Sequence, residues 1–151
     1  MRAAAVLVTL SALSLPMLSE EPPIKMGLWE KTSVTSSAAG EPDTLVSKTC
    51  ITPEGWQKML ANISKPRPNC NMDVQHHGQS YTFKGTCNTA HTSMTLDGSE
   101  NIRDSEHIVS DSHSVITIGG QKRESKTHST SRFLSASCGK ISPDDPEVED
   151  K

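Results

Sequence analysis

From residue 27 the chain alternates. Leu28, Glu30, Thr32 and Val34 fall on one side, and Trp29, Lys31, Ser33 and Thr35 on the other. This period of two, in a run rich in β-branched residues, predicts a strand. Residues 36–43, with Gly40 and Pro42, read as a loop, and residues 44–50 (TLVSKTC) as a second short strand. The period then changes. Thr52 is a natural N-cap, Pro53 fits the first helical position, and Glu54 suits the positive end of a helix dipole. Trp56, Met59, Leu60 and Ile63 follow on one helical face. The run SKPRP at residues 64–68 ends the helix, so one short α-helix is predicted near Pro53–Ile63. Its apolar stripe reads as core packing.

Beyond Cys70 the pattern is that of a β-meander. Residues 71–77 and 79–87 flank a turn at Gly78. Thr92, Met94 and Leu96 alternate with polar residues up to Asp97-Gly98, a favourable turn dipeptide, and residues 99–103 form a weaker strand. Residues 106–118 and 121–134 flank Gly119-Gly120, the strongest hairpin signature in the chain. The expected fold is mainly β: an antiparallel meander of about seven to eight strands with one early helix. A curved sheet or partly closed barrel buries such a meander best.

The N-terminus changes the setting. Met1-Arg2 precede an apolar run from Ala3 to Leu15, the layout of a secretory signal peptide and too short to span a bilayer. Residues 1–19 are therefore assigned to the signal, with small residues near 14 and 19 as cleavage positions. Residues 20–140 form a single disulfide-linked β domain, and 141–151 an acidic tail. The tail holds five acids and two prolines and is expected to be disordered and solvated. The formal charge of the whole chain is −3, so a nucleic-acid or anionic-membrane role has no electrostatic support. No integral membrane segment is expected after signal cleavage. With only 3% aromatic residues, the domain struggles to offset chain entropy by burial alone, and crosslinks gain weight.

Four cysteines are available for them: Cys50, Cys70, Cys87 and Cys138. Zinc sites pair cysteines a few residues apart and redox sites use CxxC, and neither spacing occurs. Structural disulfides in an oxidising compartment are the reading. Three pairings are possible. The favoured one joins Cys50 with Cys70, which bracket the helix, and Cys87 with Cys138, which would close the sheet.

Motifs beside these cysteines carry a resemblance. Residues 22–30 (PPIKMGLWE) resemble the "hydrophobic-Lys-Pro-Gly-Leu-Trp-Glu" opening of the bacterial domain-of-unknown-function 3617 family. Residues 50–54 (CITPE) are similar to its "Cys-Leu-Thr-Pro-Glu", and residues 81–87 (YTFKGTC) to its aromatic-rich strand ending in a cysteine. Ser131-Arg132-Phe133-Leu134, followed by Cys138-Gly139, is similar to its closing "Ser-Arg-Trp-Leu…Cys-Gly". Met26 and Phe133 depart from the family's usual proline and tryptophan, at a turn and a packing position. The resemblance implies an exported, periplasmic bacterial protein with a β-rich domain. It brings no activity and no catalytic residue.

Candidate chemistry is sparse. A two-residue turn at Gly119-Gly120 puts His128 opposite Asp111 and His113 opposite Lys126, with the two histidines diagonal on one face. Asp111, His113 and His128 are thus weak candidates for a divalent metal, opposed by the cations Lys122, Lys126 and Arg132 on the same face. The other face carries Ile108, Ile116, Ile118 and Phe133 among Ser110, Ser112, Ser114, Ser125, Thr127, Ser129 and Ser131. Such a hydroxyl-lined face could leave a cavity for a small apolar or amphipathic ligand. No G-x-S-x-G, Walker loop, HExxH or GxGxxG occurs, so no catalytic residue, enzyme activity or cofactor is expected. The reading is a small soluble periplasmic binding or interaction module, with a small apolar ligand or an envelope protein as partner. The alternative is a structural or envelope-maintenance protein with no small ligand.

Overall fold

The alternating runs pair into one sheet. The computed structural model describes residues 23–38, 40–63, 65–143 and 147–150. The assigned signal segment lies outside them. The elements are β1 (Gly27–Ser37), β2 (Asp43–Ile51), α1 (Pro53–Ile63), β3 (Cys70–His77), β4 (Ser80–Asn88), β5 (Thr92–Asp104), β6 (His107–Ile118), β7 (Gln121–Ser135) and β8 (Glu147–Asp150). All strand pairs are antiparallel, in the order β3-β4-β5-β6-β7-β1-β2-β8. The sheet is curved and does not close. Strands β3 to β7 form the expected meander. The β1–β2 hairpin joins it through β1, which lies against β7.

Local chemistry explains most of the elements. The Thr52 hydroxyl accepts the Gly55 N–H at 3.1 Å and caps α1. Gly119 and Gly120 both have positive φ, 56° and 83°, as a type I′ turn demands, and Ile118 pairs with Gln121. That register sets Asp111 against His128 and His113 against Lys126, as the turn predicted.

Asp97-Gly98 is a correction. It does not turn, because β5 runs through it as one strand. Gly98 is paired with Phe83 on one side and Ser112 on the other. A Cβ on Gly98 would sit 2.5 Å from the Phe83 ring and 2.3 Å from the Asp111 carbonyl oxygen. The glycine here makes room for an aromatic ring laid across the strand.

The dry core is small and sits at one end of the sheet. Ile24, Trp29, Trp56 and Ile102 are buried, with Met26, Ile51, Leu60, Tyr81, Ile108 and Phe133 packed against them. The segment before β1 is part of it. Lys25 donates its N–H to the Ser105 carbonyl at 2.9 Å and pairs with Glu106 through its ammonium, which lays Ile24 over the β5–β6 turn. Trp29 lies edge-on to Phe133, and its indole N–H donates to the Lys25 carbonyl at 2.9 Å. Gly27, at φ 139°, passes so close to β7 that a Cβ would lie 2.2 Å from the Ser135 carbonyl oxygen.

The disulfides are Cys50–Cys138 and Cys70–Cys87, which overturns the favoured pairing. Nearness to α1 in sequence was misleading. Cys50 ends β2 and Cys70 starts β3, and five strands separate β2 from β3 in the sheet. Cys70 and Cys87 are direct register partners in the β3–β4 hairpin. Leu28 of β1 pairs with Cys50 on one side and Ser135 on the other, so the Cys50–Cys138 bond spans the start of β1 and ties its two neighbours together.

Within the stretch assigned to the acidic tail, Glu147–Asp150 form β8. Residues 147–150 pair with residues 45–48 of β2 and cover what would otherwise be a bare edge. Lys48 sits opposite Glu147 in that ladder. Composition argued against order, but an edge strand supplies backbone hydrogen bonds that need no apolar side chain.

Two outcomes follow from this architecture. In the chain-entropy model the loops closed over 88 and 17 residues are worth ~4.5 and ~3 kcal/mol respectively. Replacing Cys50 and Cys138 by serine should therefore lower stability by about 1.5 kcal/mol more than replacing Cys70 and Cys87, measured by urea unfolding. Equal losses would contradict the topology. Gly98→Ala should cost about 1–3 kcal/mol in the same assay through its clash with Phe83 and β6.

Candidate ligand-binding site

Strand alternation sorts the side chains onto two faces. The face covered by α1 carries the core, and the opposite face is polar. On the polar face, Asp73, Lys84, Asp97, His113, Lys126 and Ser36 are successive register partners across six strands. With Gln75, Thr82, Ser99, Asp111, His128 and Val34 they line an open trough of about 870 Å³.

The proposed metal candidates meet here but do not converge. His128 Nδ1 lies 2.7 Å from Asp111 Oδ1. The His113 ring is bracketed instead by Asp97, 3.2 Å from Nδ1, and Glu124, 3.0 Å from Nε2. Among the described residues no group of three or more histidine, cysteine or acidic side chains is arranged to hold a metal ion. With Lys122 3.9 Å from Glu124 along β7, the surface is a solvated lattice of polar contacts within and between strands.

On the other face the hydroxyl groups satisfy one another. Ser33 bonds Ser129 at 2.9 Å, Thr35 bonds Thr127 at 2.9 Å, and Ser114 bonds Ser125 at 2.8 Å. These pairs glue β1 to β7 and β6 to β7. The apolar depression on this face lies further along, between α1 and strands β3 to β5. It is a slot of about 240 Å³ lined by Trp56, Met59, Leu60, Met72, Val74, Tyr81, Phe83 and Glu100, with Lys65 and Arg67 from the segment that leaves α1.

Each wall of the slot follows from a local pattern. The α1 stripe is only partly used for core packing: Trp56 is buried, whereas Met59 is 41% exposed. The β3–β4 hairpin sets Val74 opposite Phe83 and Met72 opposite Gly85, where a Cβ would lie 2.0 Å from the Met72 sulfur. Tyr81 stacks on His76 with ring centroids 4.4 Å apart. Glu100 is the one acidic group in the lining. Burial raises its carboxyl above the ordinary value, and the Lys31 ammonium partly offsets this.

The hairpin turn at Gly78 held the information for the β3–β4 wall, because it fixes which residues of the two strands share a face. The helix stripe, read entirely as core, concealed the other wall.

A family model described as "Protein of unknown function (DUF3617)" matches residues 24–138. The chain belongs to the DUF3617 family. The DUF3617 match runs from Ile24, the first core residue, to Cys138, the last disulfide cysteine, and stops before β8. The segments that carried the resemblance acquire physical roles here. In the opening motif Trp29 and Ile24 build the core, Gly27 passes β7, and Glu30 accepts from Arg132 at 2.7 Å. In CITPE, Cys50 is crosslinked and Thr52 caps α1. No curated protein matches the sequence. Among solved structures the chain is similar to an S-type phycobiliprotein lyase from Guillardia theta, with 9% identity, a TM-score of 0.36, and 73% of this chain and 89% of that chain covered.

Glu100 makes the slot measurable through stability. Its carboxyl ionises less readily folded than unfolded, so between its ordinary value of 4.5 and the raised folded value the folded state binds more protons. Stability therefore falls as pH rises through that window. Glu100→Gln should raise the thermal midpoint at neutral pH, and the gain should vanish below pH 4.5. A gain that persists in acid would mean that burial of the charge is not its cause.

Proposed function

We propose that this DUF3617 protein is an exported, periplasmic binding module without catalytic activity, and that its site is the slot between α1 and the β3–β5 part of the sheet. The observation that carries the reading is the slot's composition. Seven apolar or aromatic side chains from three elements surround it, with a single acid inside and two cations in its lining. Binding pockets are mostly apolar with a few placed polar groups, typically ~300–1,000 Å³, so this one suits a small ligand. Met59 and Met72, 41% and 40% exposed, offer the adaptable thioether walls that such sites favour. The two disulfides favour an oxidising compartment, in keeping with the signal-like N-terminus.

Native mass spectrometry of the protein purified from its own compartment tests this reading. The wild type should carry a small non-covalent adduct. Leu60→Arg, with both disulfides formed, should lose it. A clean apo mass for the wild type, together with no response of Trp56 fluorescence to small apolar molecules, would overturn it in favour of a structural role.

A further inference from the structure

The two cations of the slot stand at a particular place. Lys65 and Arg67 are exposed, and both also line an adjoining recess of about 360 Å³ that shares Met72 and Val74 with the slot. They therefore mark the boundary where the apolar slot opens into a wetter one. Among the described residues neither forms an ion pair with a carboxylate. The Lys65 ammonium donates to the neutral Asn62 amide oxygen at 3.1 Å. The acid in the recess, Asp73, accepts instead from the Gln75 amide at 3.2 Å.

Building on the slot as a binding site, we propose that its ligand is a small single-chain amphiphile with a carboxylate head, the tail lying against Trp56, Leu60 and Val74 and the head held by Lys65 and Arg67. Charge complementarity singles out this occupant. A neutral apolar molecule would leave two cations at the mouth unused. An amine would meet two like charges in a lining whose one acid is Glu100. An arginine fork and a lysine ammonium lining the same slot suit a carboxylate, which the planar guanidinium can grip with two parallel hydrogen bonds. Glu100, with its raised affinity for a proton, opposes an anionic ligand less than an ordinary carboxylate would.

The test uses the full mature chain and three probes with the same tail: octanoate, octanol and octylamine. Trp56 lines the slot, so its fluorescence reports occupancy. Octanoate should bind about tenfold more tightly than octanol, the scale of a charge-assisted hydrogen bond. That preference should disappear in the Lys65→Ala/Arg67→Ala double variant, whose octanol affinity stays unchanged, and should shrink at high salt. Equal binding of octanoate and octanol would overturn the anionic head while leaving the slot as an apolar site. Tightest binding of octylamine would overturn it in favour of Glu100 as the head-group partner. A preference for octanoate that survives the double variant would overturn the assignment to these two residues. Failure of all three probes to bind would remove the slot reading itself, and this proposal with it.

Discussion

The fold depends on keeping Trp29 dry. Among the described residues it is the one large side chain that is fully buried, at 1% exposure. The cluster around it draws on the segment before β1, β1 itself, α1 and β5, with residues of β2, β4, β6 and β7 packed against it. Its indole N–H would be costly to bury unpaired, and the Lys25 carbonyl just before β1 takes it. Trp29 therefore fixes the path of its own approach. Once Lys25 is held there, Ile24 has little choice but to seal the end of the sheet. Removing a ring of this size from a core costs ~3–5 kcal/mol, against a total stability of typically ~5–15 kcal/mol.

Outside that knot the sheet is held by other means. Hydroxyl pairs between β1 and β7 and between β6 and β7, and histidine–carboxylate contacts on the solvent face, knit neighbouring strands without apolar burial. Each is modest, because a hydrogen bond nets only ~1 kcal/mol after water is accounted for. The two disulfides supplement this weak glue at separate places. One locks the β3–β4 hairpin at the sheet's edge, and the other joins β2 to the segment after β7 across the start of β1. A polar sheet with a small core is thus crosslinked where its strands are furthest from Trp29 and where the late and early parts of the chain meet.

How much of this was legible in the sequence depended on the range of each interaction. Thr52-Pro53-Glu54 announced α1, and Gly119-Gly120 fixed the β6–β7 register residue by residue, because both act over a few positions. The disulfide pairing depended on strand order, and nothing local says that β1 would leave its hairpin partner on one side and take β7 on the other. Asp97-Gly98 was read as a turn because a glycine that admits a ring across a strand has the same letter as one that bends the chain. The binding slot was half visible. Val74 and Phe83 could be placed on one face from the turn at Gly78, but the height at which α1 crosses that face could not. The order of the tail was hidden for the same reason as the disulfides, since it depends on β2 being an edge.

The pairing of β1 with β7 also has a temporal side. The first strand of the domain to be synthesised finds β2 at once but must wait for its second partner roughly a hundred residues later, since Lys31 pairs with Ser131 and Ser33 with Ser129. A chain that emerges N-terminus first, from a ribosome or through a pore, therefore holds Trp29 and Ile24 without Ile102, Ile108 and Phe133 until almost all of it is out. Long-range pairing of this kind slows folding and leaves unfinished strands open to association. A composition with few aromatics and many hydroxyls limits the cost of that wait, although Trp29, Trp56, Tyr81 and Phe83 all lie in the earlier part of the chain. The sparse core that makes the finished domain lean on its crosslinks is the same property that leaves the unfinished one less apolar surface to expose.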